Sequence, residues 1–477
     1  MSRRTNRREF LSTAALAGAG LWVASATGCV RVKPIVRVRR VSPNEKLNIA
    51  CIGAGGKGEG EVNDAAATEN LVALCDVDDD KAAKTYKRYP DVKRYKDFRK
   101  MLDEMGNQID AVTVSTPDHI HAPAAMWAMM MGKHAFVQKP LARTIWECRI
   151  LAETAKRYGL ATQMGNQGTS ASGLRRAVEV LHAGILGPVK TLHVWTNRPI
   201  WPQGQQALDE RKKQADVPKP DGLDWDLWLG PSPKRPFNRE YLPFNWRGWY
   251  DWGTGAFGDM ACHTLNMPYW GLKLCHPVSI EAKLDKKYDE VFPSGSVVRY
   301  EFPARHGLPP LTMFWYDGDK KPNAEQVGLP EGEKVSGSGA LIVGEKGMLY
   351  SDGDYGDQWH LTPKSFSDSV TVPAEKKAEP AKKGSRRGGT PNLAVPETIP
   401  RSPGHFKEWV DACKGGKPAM SNFPDYAGLL AEIVVVGCVA QRVPGKKIEW
   451  DGPKMKAKNC PEAEAFVRPK FPKGWGL

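Results

Sequence analysis

The residues whose spacing most clearly implies chemistry in this sequence are four glycines at the end of a short apolar run. Residues 47–53 form that run, and Gly53, Gly55, Gly56 and Gly58 lead from it into an Ala-rich segment. A strand, a G-x-G-x-x-G turn and a helix in this order are typical of a dinucleotide site. Gly53 permits a tight turn, Gly55 lets the backbone approach a pyrophosphate, and Gly58 allows close packing of helix on strand. Unpaired amides at the start of the helix would bind the phosphates.

An acidic residue stands where such a site needs one. A second apolar run, residues 71–75, ends at Asp76, eighteen residues after Gly58. A carboxylate at the end of the second strand accepts hydrogen bonds from the ribose hydroxyls of adenosine and repels a 2′-phosphate. We therefore expect NAD as the cofactor in preference to NADP. The alternative interpretation is a glycine-rich turn beside a surface aspartate.

Strand and helix patterns alternate to about residue 165, which predicts a doubly wound parallel sheet. Two of its strands end in polar segments, the loop 116–121 and residues 138–140. Ligands of open α/β sheets bind at the carboxyl ends of the strands. Five residues at these ends are therefore expected to contact the cofactor, namely Thr116, Pro117, His121, Gln138 and Lys139.

A second group of candidate residues lies far along the chain, at Asp259 and His263. They are four residues apart, so in a helix both side chains lie on one face. An enzyme that removes hydride from an alcohol needs a group that takes the hydroxyl proton. The alternative is an aspartate at a helix start with a buried histidine, neither of them catalytic.

Four stretches together resemble the Gfo/Idh/MocA oxidoreductases, the family of glucose–fructose oxidoreductase and inositol dehydrogenase. They are the G-x-G-x-x-G turn, STPDHIHAP at 115–123, QKPL at 138–141 and GDMACH at 258–263. TQMGNQG and WTNRPIWPQG, at 162–168 and 195–204, are similar to the exported bacterial branch of that family. The resemblance covers residues 46–452. It implies a Rossmann-type domain followed by an α+β domain with an open, mostly antiparallel sheet.

The resemblance also assigns roles to individual residues. It implies that His263 lies at the substrate hydroxyl, that Lys139 lies beside it, and that Asp259 orients the substrate. Three further residues are implied to face the substrate: Asn166, Gln167 and Arg198. The family's usual Glu-Lys-Pro is Gln-Lys-Pro here, so any mechanism that relies on a carboxylate at position 138 is in doubt.

These features predict an NAD-dependent oxidoreductase that transfers hydride between a tightly held nicotinamide and a sugar, polyol or sugar derivative. A second hypothesis is an NAD-dependent glycoside hydrolase that oxidises, eliminates and re-reduces its substrate. A third is a non-catalytic sugar-binding relative, which loss of Lys139 or His263 would have favoured; both are present. The family resemblance implies homodimers or homotetramers formed through the second domain.

The first 29 residues are predicted to be an export signal. RREFL at residues 7–11 is similar to the twin-arginine pattern, and an Ala- and Gly-rich apolar run follows. Cleavage after Ala26 and lipidation of Cys29 are alternative endings, and an uncleaved membrane anchor is a further interpretation. We expect a periplasmic protein, either free or attached to the membrane through a lipid on Cys29. The twin-arginine route exports folded proteins, so a cofactor bound in the cytoplasm would leave with the enzyme.

The charge pattern separates the terminal segments from the body of the chain. The 477 residues carry a net charge of +14, concentrated in residues 1–45, 374–389 and 444–477. The rest is near neutral, which excludes a basic body that grips nucleic acid. The predicted organisation is a signal at 1–29, a linker at 30–46, an NAD-binding Rossmann domain at 47–165, a substrate and oligomerisation domain at 166–452 with an exposed loop at 374–403, and a C-terminal tail at 453–477.

Metal binding and disulfide bonds are not expected. The nine cysteines include no C-x-x-C pair, and His119 and His121 lack a third ligand nearby in the sequence. Eight tryptophans lie between residues 195 and 270, and we expect most of them to be structural, with one or two lining the site.

Overall fold

The structure is a computed structural model, and it describes residues 38–329, 334–371 and 393–475. The predicted export signal and Cys29 lie outside these residues, as does most of the expected loop at 374–403. The described part of that loop, residues 393–403, is largely exposed or half-buried, although Leu393 is buried.

The first domain alternates strands and helices. Its strands are β1 (Asn48–Ile52), β2 (Asn70–Cys75), β3 (Lys93–Tyr95), β4 (Ala111–Val114), β5 (His134–Val137) and β6 (Thr162–Met164). Its helices are α1 (Gly58–Thr68), α2 (Asp79–Arg88), α3 (Phe98–Met105), α4 (Asp118–Met130) and α5 (Ile145–Tyr158). The strands form one parallel sheet in the order β3-β2-β1-β4-β5-β6. The order reverses between β1 and β4, so the loops that follow these strands diverge and open a crevice.

Local sequence explains the limits of these elements. Every residue of β4 and β5 is buried, as expected for central strands covered on both faces. The helix α5 begins with a capping box, in which Thr144 and Glu147 each accept the other's backbone N–H. It ends at Gly159, whose φ of 64° lies in the left-handed region that favours glycine.

The second domain is built on a mixed sheet. Its strands are β7 (Val189–Trp195), β8 (Ser279–Leu284), β9 (Ser296–Phe302), β10 (Leu311–Asp317), β11 (Gly339–Gly344), β12 (Met348–Ser351), β13 (His360–Thr362), β14 (Ile448–Asp451) and β15 (Lys456–Ala457). Their order is β13-β12-β11-β7-β10-β9-β8-β14-β15, with β7 and β10 parallel and the other neighbours antiparallel. The predicted fold class is therefore confirmed.

Helices cover the second sheet and connect it to the first domain. They are α6 (Ser172–His182), α7 (Gln205–Lys213), α8 (Trp225–Leu229), α9 (Gly255–Thr264), α10 (Asn266–Gly271), α11 (Ala324–Val327), α12 (Lys364–Val370), α13 (His405–Cys413), α14 (Gly428–Arg442) and α15 (Pro461–Val467). The helix α14 packs against α5 of the first domain and against α9 and β8 of the second. Across this contact, the Arg149 guanidinium donates to both carboxylate oxygens of Glu432, at 2.6 and 2.7 Å.

The helical segment Phe423–Arg442 is long and apolar enough to cross a membrane by length and composition alone. It has 20 residues and a mean hydropathy of 1.6. However, 83% of its apolar window is buried inside the protein, and a core helix has the same composition.

One face of the second sheet is partly open. Buried and half-buried residues alternate along β10, so one face packs on the core and the other does not. Phe314 and Tyr316 lie on the open face, where their rings stack with His193 of β7 at centroid distances of 5.4 and 5.9 Å.

Two expectations differ from the structure. The helix α4 begins at Asp118, so His119 and His121 lie in a helix rather than in a loop. An acidic residue is favourable in the first turn of a helix, and here it extends α4 towards β4. The predicted tail at 453–477 contains β15 and α15, and its residues Cys460 and Val467 are buried. These apolar residues are too few to show a helical or strand period in the sequence.

Candidate active site

Close contacts within the protein shape the glycine turn. Gly53 has a φ of +86°, and an added Cβ would lie 2.5 Å from the carbonyl oxygen of Ser115. A Cβ at Gly58 would collide with the carbonyl of Gly53, which agrees with the predicted close packing of helix on strand. A Cβ at Gly55 would collide with the backbone of Lys81. Packing within the protein thus requires glycine at position 55 in addition to any approach of a phosphate.

Asp76 lies at the end of β2 and faces this turn. Its Oδ2 accepts hydrogen bonds from the amides of Ala54 and Gly55, at 2.8 and 3.1 Å. Its Oδ1 accepts one from the amide of Asp78 at 3.1 Å. Burial raises the pKa of Asp76, and the three amides oppose that shift. The carboxylate therefore braces the turn.

One cleft runs from the glycine turn to the second domain. Eight of the ten predicted cofactor residues line it: Gly53, Gly55, Gly56, Asp76, Thr116, Pro117, Gln138 and Lys139. Gly58 lies behind the turn at the start of α1. From the second domain, Trp228 and Trp246 line the cleft, in agreement with the expectation that one or two tryptophans would do so.

His121, the remaining predicted cofactor contact, does not reach this cleft. It is 1% exposed, with Nδ1 2.7 Å from the carbonyl oxygen of Pro140 and Nε2 2.8 Å from that of Thr116. Burial lowers its pKa to about 4. Because α4 starts at Asp118, the ring points into the core and ties the segments after β4 and β5 together.

The histidines of α4 are not arranged as metal ligands with other described residues. The Nε2 of His119 lies 2.8 Å from the carbonyl oxygen of Trp228. Within residues 38–329, 334–371 and 393–475, no group of three or more His, Cys, Asp or Glu side chains is arranged to hold a metal ion. The cysteines of these ranges are free thiols.

An ion pair between the two domains lies at the inner end of the cleft. Lys139 Nζ donates to Asp259 Oδ1 at 2.8 Å and to the Asp259 backbone carbonyl at 2.9 Å. Arg247 Nε donates to the same carboxylate oxygen at 3.1 Å. Burial raises the pKa of Asp259, but the two cations outweigh burial and hold that pKa far below its usual range. Asp259 is therefore ionised near neutral pH, and it anchors both cations at the cleft.

Sequence reasoning missed Arg247. Its guanidinium carbon lies 4.3 Å from the ring centroids of Phe244 and Trp246 and 5.8 Å from that of Trp201. Stacking on aromatic faces stabilises a guanidinium and restricts its orientation. The sequence could have pointed to Arg247, because it is the only basic residue in the aromatic stretch FNWRGWYDW at 244–252.

Asp118 is a second residue that sequence reasoning missed. It lines the cleft, and its Oδ2 accepts a hydrogen bond from Thr254 Oγ1 at 2.7 Å. Burial and the neighbouring Asp259 carboxylate raise its pKa to about 7, against the Thr254 bond and the nearby cations. A large fraction of Asp118 therefore keeps its proton at neutral pH. The sequence could have pointed to Asp118, because it directly follows Thr116 and Pro117, which are both expected to contact the cofactor.

His263 lies one turn beyond Asp259 on α9, as predicted from their spacing. It is 4% exposed, and its ring packs edge-on against Tyr355 at a centroid distance of 5.0 Å. Its Nδ1 has no hydrogen-bond partner among the described residues. Burial, and after it the charge of Lys139, lowers its pKa well below the usual value, so the imidazole is neutral. The ring lies beside the ion pair but outside the cleft wall.

Asn166 is not placed where the family resemblance implied. It is fully buried: Oδ1 accepts a hydrogen bond from Ser421 Oγ at 2.5 Å, and Nδ2 donates to Asn266 Oδ1 at 3.3 Å. The end of β6 packs against the segment that leads into α14, which closes this position to solvent. The side chain belongs to a buried polar network and does not face the cleft.

The other two predicted substrate residues are accessible. Gln167 is exposed in a short 3₁₀ turn after β6. Arg198 follows β7 and forms an ion pair with Asp354, with 3.6 Å between Nη2 and Oδ2. Asp354 precedes Tyr355, so Arg198 lies on the His263 side of the site.

The neutral residue of Gln-Lys-Pro has a specific partner. Gln138 Nε2 donates to Oε1 of Glu61 on α1 at 2.7 Å, and both side chains are buried. Lys57 Nζ donates to the same oxygen at 2.5 Å. A carboxylate at position 138 could not donate this bond, so the amide suits Glu61 in this chain.

We expect Gln138→Glu to lower the free energy of unfolding by about 1–3 kcal/mol, because two buried carboxylates in contact cannot both ionise. Urea unfolding at a fixed excess of NAD, followed by circular dichroism, measures the change. Gln138→Met removes the hydrogen bond without adding a charge and should cost less. Equal stability of Gln138→Glu and the wild type would contradict the pairing with Glu61.

Two family models match this chain. One, for the NAD-binding Rossmann fold of the GFO_IDH_MocA oxidoreductases, matches residues 47–166; the other, for their C-terminal alpha/beta domain, matches residues 174–305. The chain belongs to the Gfo/Idh/MocA oxidoreductase family. Membership confirms the predicted NAD-binding domain, and the Lys139–Asp259 pair joins the two matched regions.

Curated relatives match part of this Gfo/Idh/MocA protein. A glycosyl hydrolase family 109 protein from Shewanella pealeana is 33% identical over 171 residues, which cover 32% of this chain and 38% of the relative. A second family 109 protein, from Solibacter usitatus, is 33% identical over 166 residues, which cover 32% and 37%. The chain thus matches less than two fifths of the length of these relatives.

Solved structures share the fold over most of the chain. The WlbA dehydrogenase from Bordetella pertussis, in complex with NADH and UDP-GlcNAcA, has a TM-score of 0.56 at 14% identity and covers 85% of this chain and 99% of its own. The aldose–aldose oxidoreductase from Caulobacter crescentus, complexed with glycerol, has a TM-score of 0.53 at 18% identity and covers 85% and 100%. At these identities, the likeness concerns the fold alone.

Proposed function

We propose that this protein is an NAD-dependent oxidoreductase that transfers hydride between a tightly held nicotinamide and a hydroxyl-bearing carbon of a sugar, polyol or sugar derivative. The observation that carries the proposal is the 2.8 Å ion pair of Lys139 and Asp259 in the cleft that begins at the glycine turn. Hydride transfer from an alcohol to NAD needs the dinucleotide and a proton-handling group side by side.

The cleft residues fit NAD. The turn at Gly53–Gly56 lines the cleft without side chains at three of its four positions, which leaves its backbone open to a diphosphate. Asp76 lies where the adenosine ribose is expected, and its charge disfavours a 2′-phosphate, hence NAD rather than NADP. When bound, NAD accepts or donates hydride at C4 of its nicotinamide.

The side chains of the ion pair would handle the proton. Asp259 fixes Lys139 Nζ at the cleft, where the ammonium donates a proton in the reducing direction and the amine takes it back in the oxidising direction. His263 is neutral and buried beside this pair, outside the cleft wall, so Lys139 alone is proposed to exchange the proton with the substrate. Arg247, held by Asp259 and two aromatic rings, keeps N–H groups for substrate oxygens.

Aromatic surface near the ion pair supports a sugar-like substrate. Phe244 is 40% exposed, and Phe244 and Trp246 both line the cleft. The C–H faces of a sugar ring pack well on such rings. The two named structures with the same fold carry UDP-GlcNAcA and glycerol, which agrees with this substrate class.

A redox-assisted glycoside hydrolase is the second candidate. The observation that favours it is the 33% identity to family 109 glycosyl hydrolases over about a third of the chain. Such an enzyme would oxidise a sugar, eliminate its substituent and reduce the product with the same NAD. The non-catalytic alternative is less well supported because Lys139 and Asp259 are both present and paired.

The sequence and the open sheet face also support proposals about the cellular location and the oligomeric state of the protein. We propose twin-arginine export to the periplasm from RREFL at 7–11, with Cys29 as a candidate for lipid attachment. Exchange of free NAD is not expected there, which favours a cofactor that stays bound. The open sheet face with Phe314 and Tyr316 supports association into homodimers or homotetramers.

One set of assays on the purified protein, without added NAD, tests these candidates. Native mass spectrometry first establishes whether a dinucleotide is bound. A change in absorbance at 340 nm on adding free sugars or polyols supports the oxidoreductase, whereas release of nitrophenol from nitrophenyl glycosides supports the hydrolase. Bound NAD with neither response across both panels contradicts both activities and favours the sugar-binding relative.

A further inference from the structure

The C-terminal segment after α15 returns to the cofactor cleft. On the way it crosses α5 of the first domain, where Arg468 stacks over the ring of Trp146 at 4.4 Å and Phe471 contacts the same ring at a centroid distance of 6.2 Å. Trp475 then forms part of the cleft wall, although it lies more than 200 residues beyond the other second-domain residues of that wall.

The indole of Trp475 is held on two sides. Its ring meets Phe98 edge-to-face at a centroid distance of 6.1 Å, and the guanidinium carbon of Arg99 lies 4.1 Å from its ring centroid. Arg99 is itself fixed by Asp97, with its Nε and Nη2 donating at 2.9 and 2.7 Å. A Cβ added at Gly230 would lie 3.5 Å from the indole. Trp475 therefore bridges the start of α3 and the segment after α8.

This bridge lies at the adenosine end of the cleft. With the diphosphate at the glycine turn and the ribose at Asp76, the adenine base extends beyond the end of β2. Val77, Asp97 and Phe98 form that part of the wall, and Trp475 contacts Phe98 directly.

We propose that Trp475 caps the adenosine half of bound NAD and slows its release. The inference rests on NAD lying along this cleft, as in the proposed function, but not on the substrate or on the outcome of the reaction. An aromatic face stacked on a base contributes about 10- to 100-fold in affinity. An indole docked on the protein in advance adds that contact at little cost in side-chain entropy.

The first test measures release of NAD from purified holoenzyme, with an excess of a second dehydrogenase and its alcohol to capture and report the free cofactor. Trp475→Ala should release NAD at least about 10-fold faster than the wild type. Trp475→Phe, which keeps an aromatic face, should recover part of the difference. Phe471→Ala is the matched control, since Phe471 belongs to the same segment but packs on Trp146; its release rate should be that of the wild type.

The second test separates a cap from a general loosening of the domain. On full-length protein depleted of NAD, Trp475→Ala should weaken binding of ADP-ribose about 10-fold and leave binding of nicotinamide mononucleotide unchanged. Equal losses for both ligands, or equal release rates for Trp475→Ala and Phe471→Ala, would overturn the inference. If the wild type binds no dinucleotide, the proposed function fails with it; if the wild type binds NAD and Trp475→Ala retains it equally well, only the inference fails.

Discussion

Replacement of Lys139 by Met is expected to lower turnover by about 10²–10⁴-fold, the usual contribution of a positioned acid–base group. Met keeps the length and apolar character of the side-chain stem but removes Nζ, which Asp259 holds at 2.8 Å. The glycine turn and Asp76 are untouched, so NAD should stay bound. Steady-state turnover at saturating substrate, with native mass spectrometry of the same preparation, measures both quantities.

The matched control for this experiment is Lys156→Met. Lys156 lies on the exposed side of α5, away from the cleft, so its loss should change turnover less than twofold. If Lys139→Met retained turnover within about threefold of the wild type, acid–base catalysis by Lys139 would be excluded by the size expected of it. Proton transfer would then have to be assigned to another group.

Replacement of Asp259 by Asn is expected to lower the free energy of unfolding by about 3–5 kcal/mol, because removal of one partner from a largely buried pair leaves an uncompensated charge. Here one carboxylate serves two cations, Lys139 and Arg247. Turnover should fall as well, since the variant leaves Nζ only its 2.9 Å hydrogen bond to the backbone carbonyl of residue 259 among the described contacts. Urea unfolding at a fixed excess of NAD measures the stability change.

The pH dependence and a control variant identify the cause of that loss. The folded state depresses the pKa of Asp259, so its stabilising effect is complete above the unfolded pKa of about 4 and is lost as the pH falls below it. The stability difference between Asp259→Asn and the wild type should therefore shrink only in strongly acid solution.

Asp251→Asn breaks a more exposed pair with Arg235 and should cost under about 1 kcal/mol. Equal losses for the two variants would refute a special role for the pair in the cleft.

Short-range sequence patterns were sufficient to predict the first domain and part of the site. Glycine turns, strand ends and helical spacing are short-range features, so Gly53, Asp76 and the Asp259–His263 pair could be found from their neighbours. The family resemblance implied that Lys139 lies beside His263; the direct bond between Lys139 and Asp259 was not predicted and is shown by the structure. His121 and Asn166 were misplaced because their neighbours do not reveal which way a side chain points or what packs on it.

By itself, the sequence determined a parallel nucleotide-binding sheet, a glycine turn with its acidic partner, and a lysine at a strand end. Each of these depends on backbone geometry within a few residues. Only the tertiary structure decided that Arg247 would share the carboxylate of Asp259, that burial would raise the pKa of Asp118 to about 7, and that Trp475 would return to the adenosine end of the cleft. These properties depend on contacts between segments far apart in the chain and on exclusion of water, which no local pattern encodes.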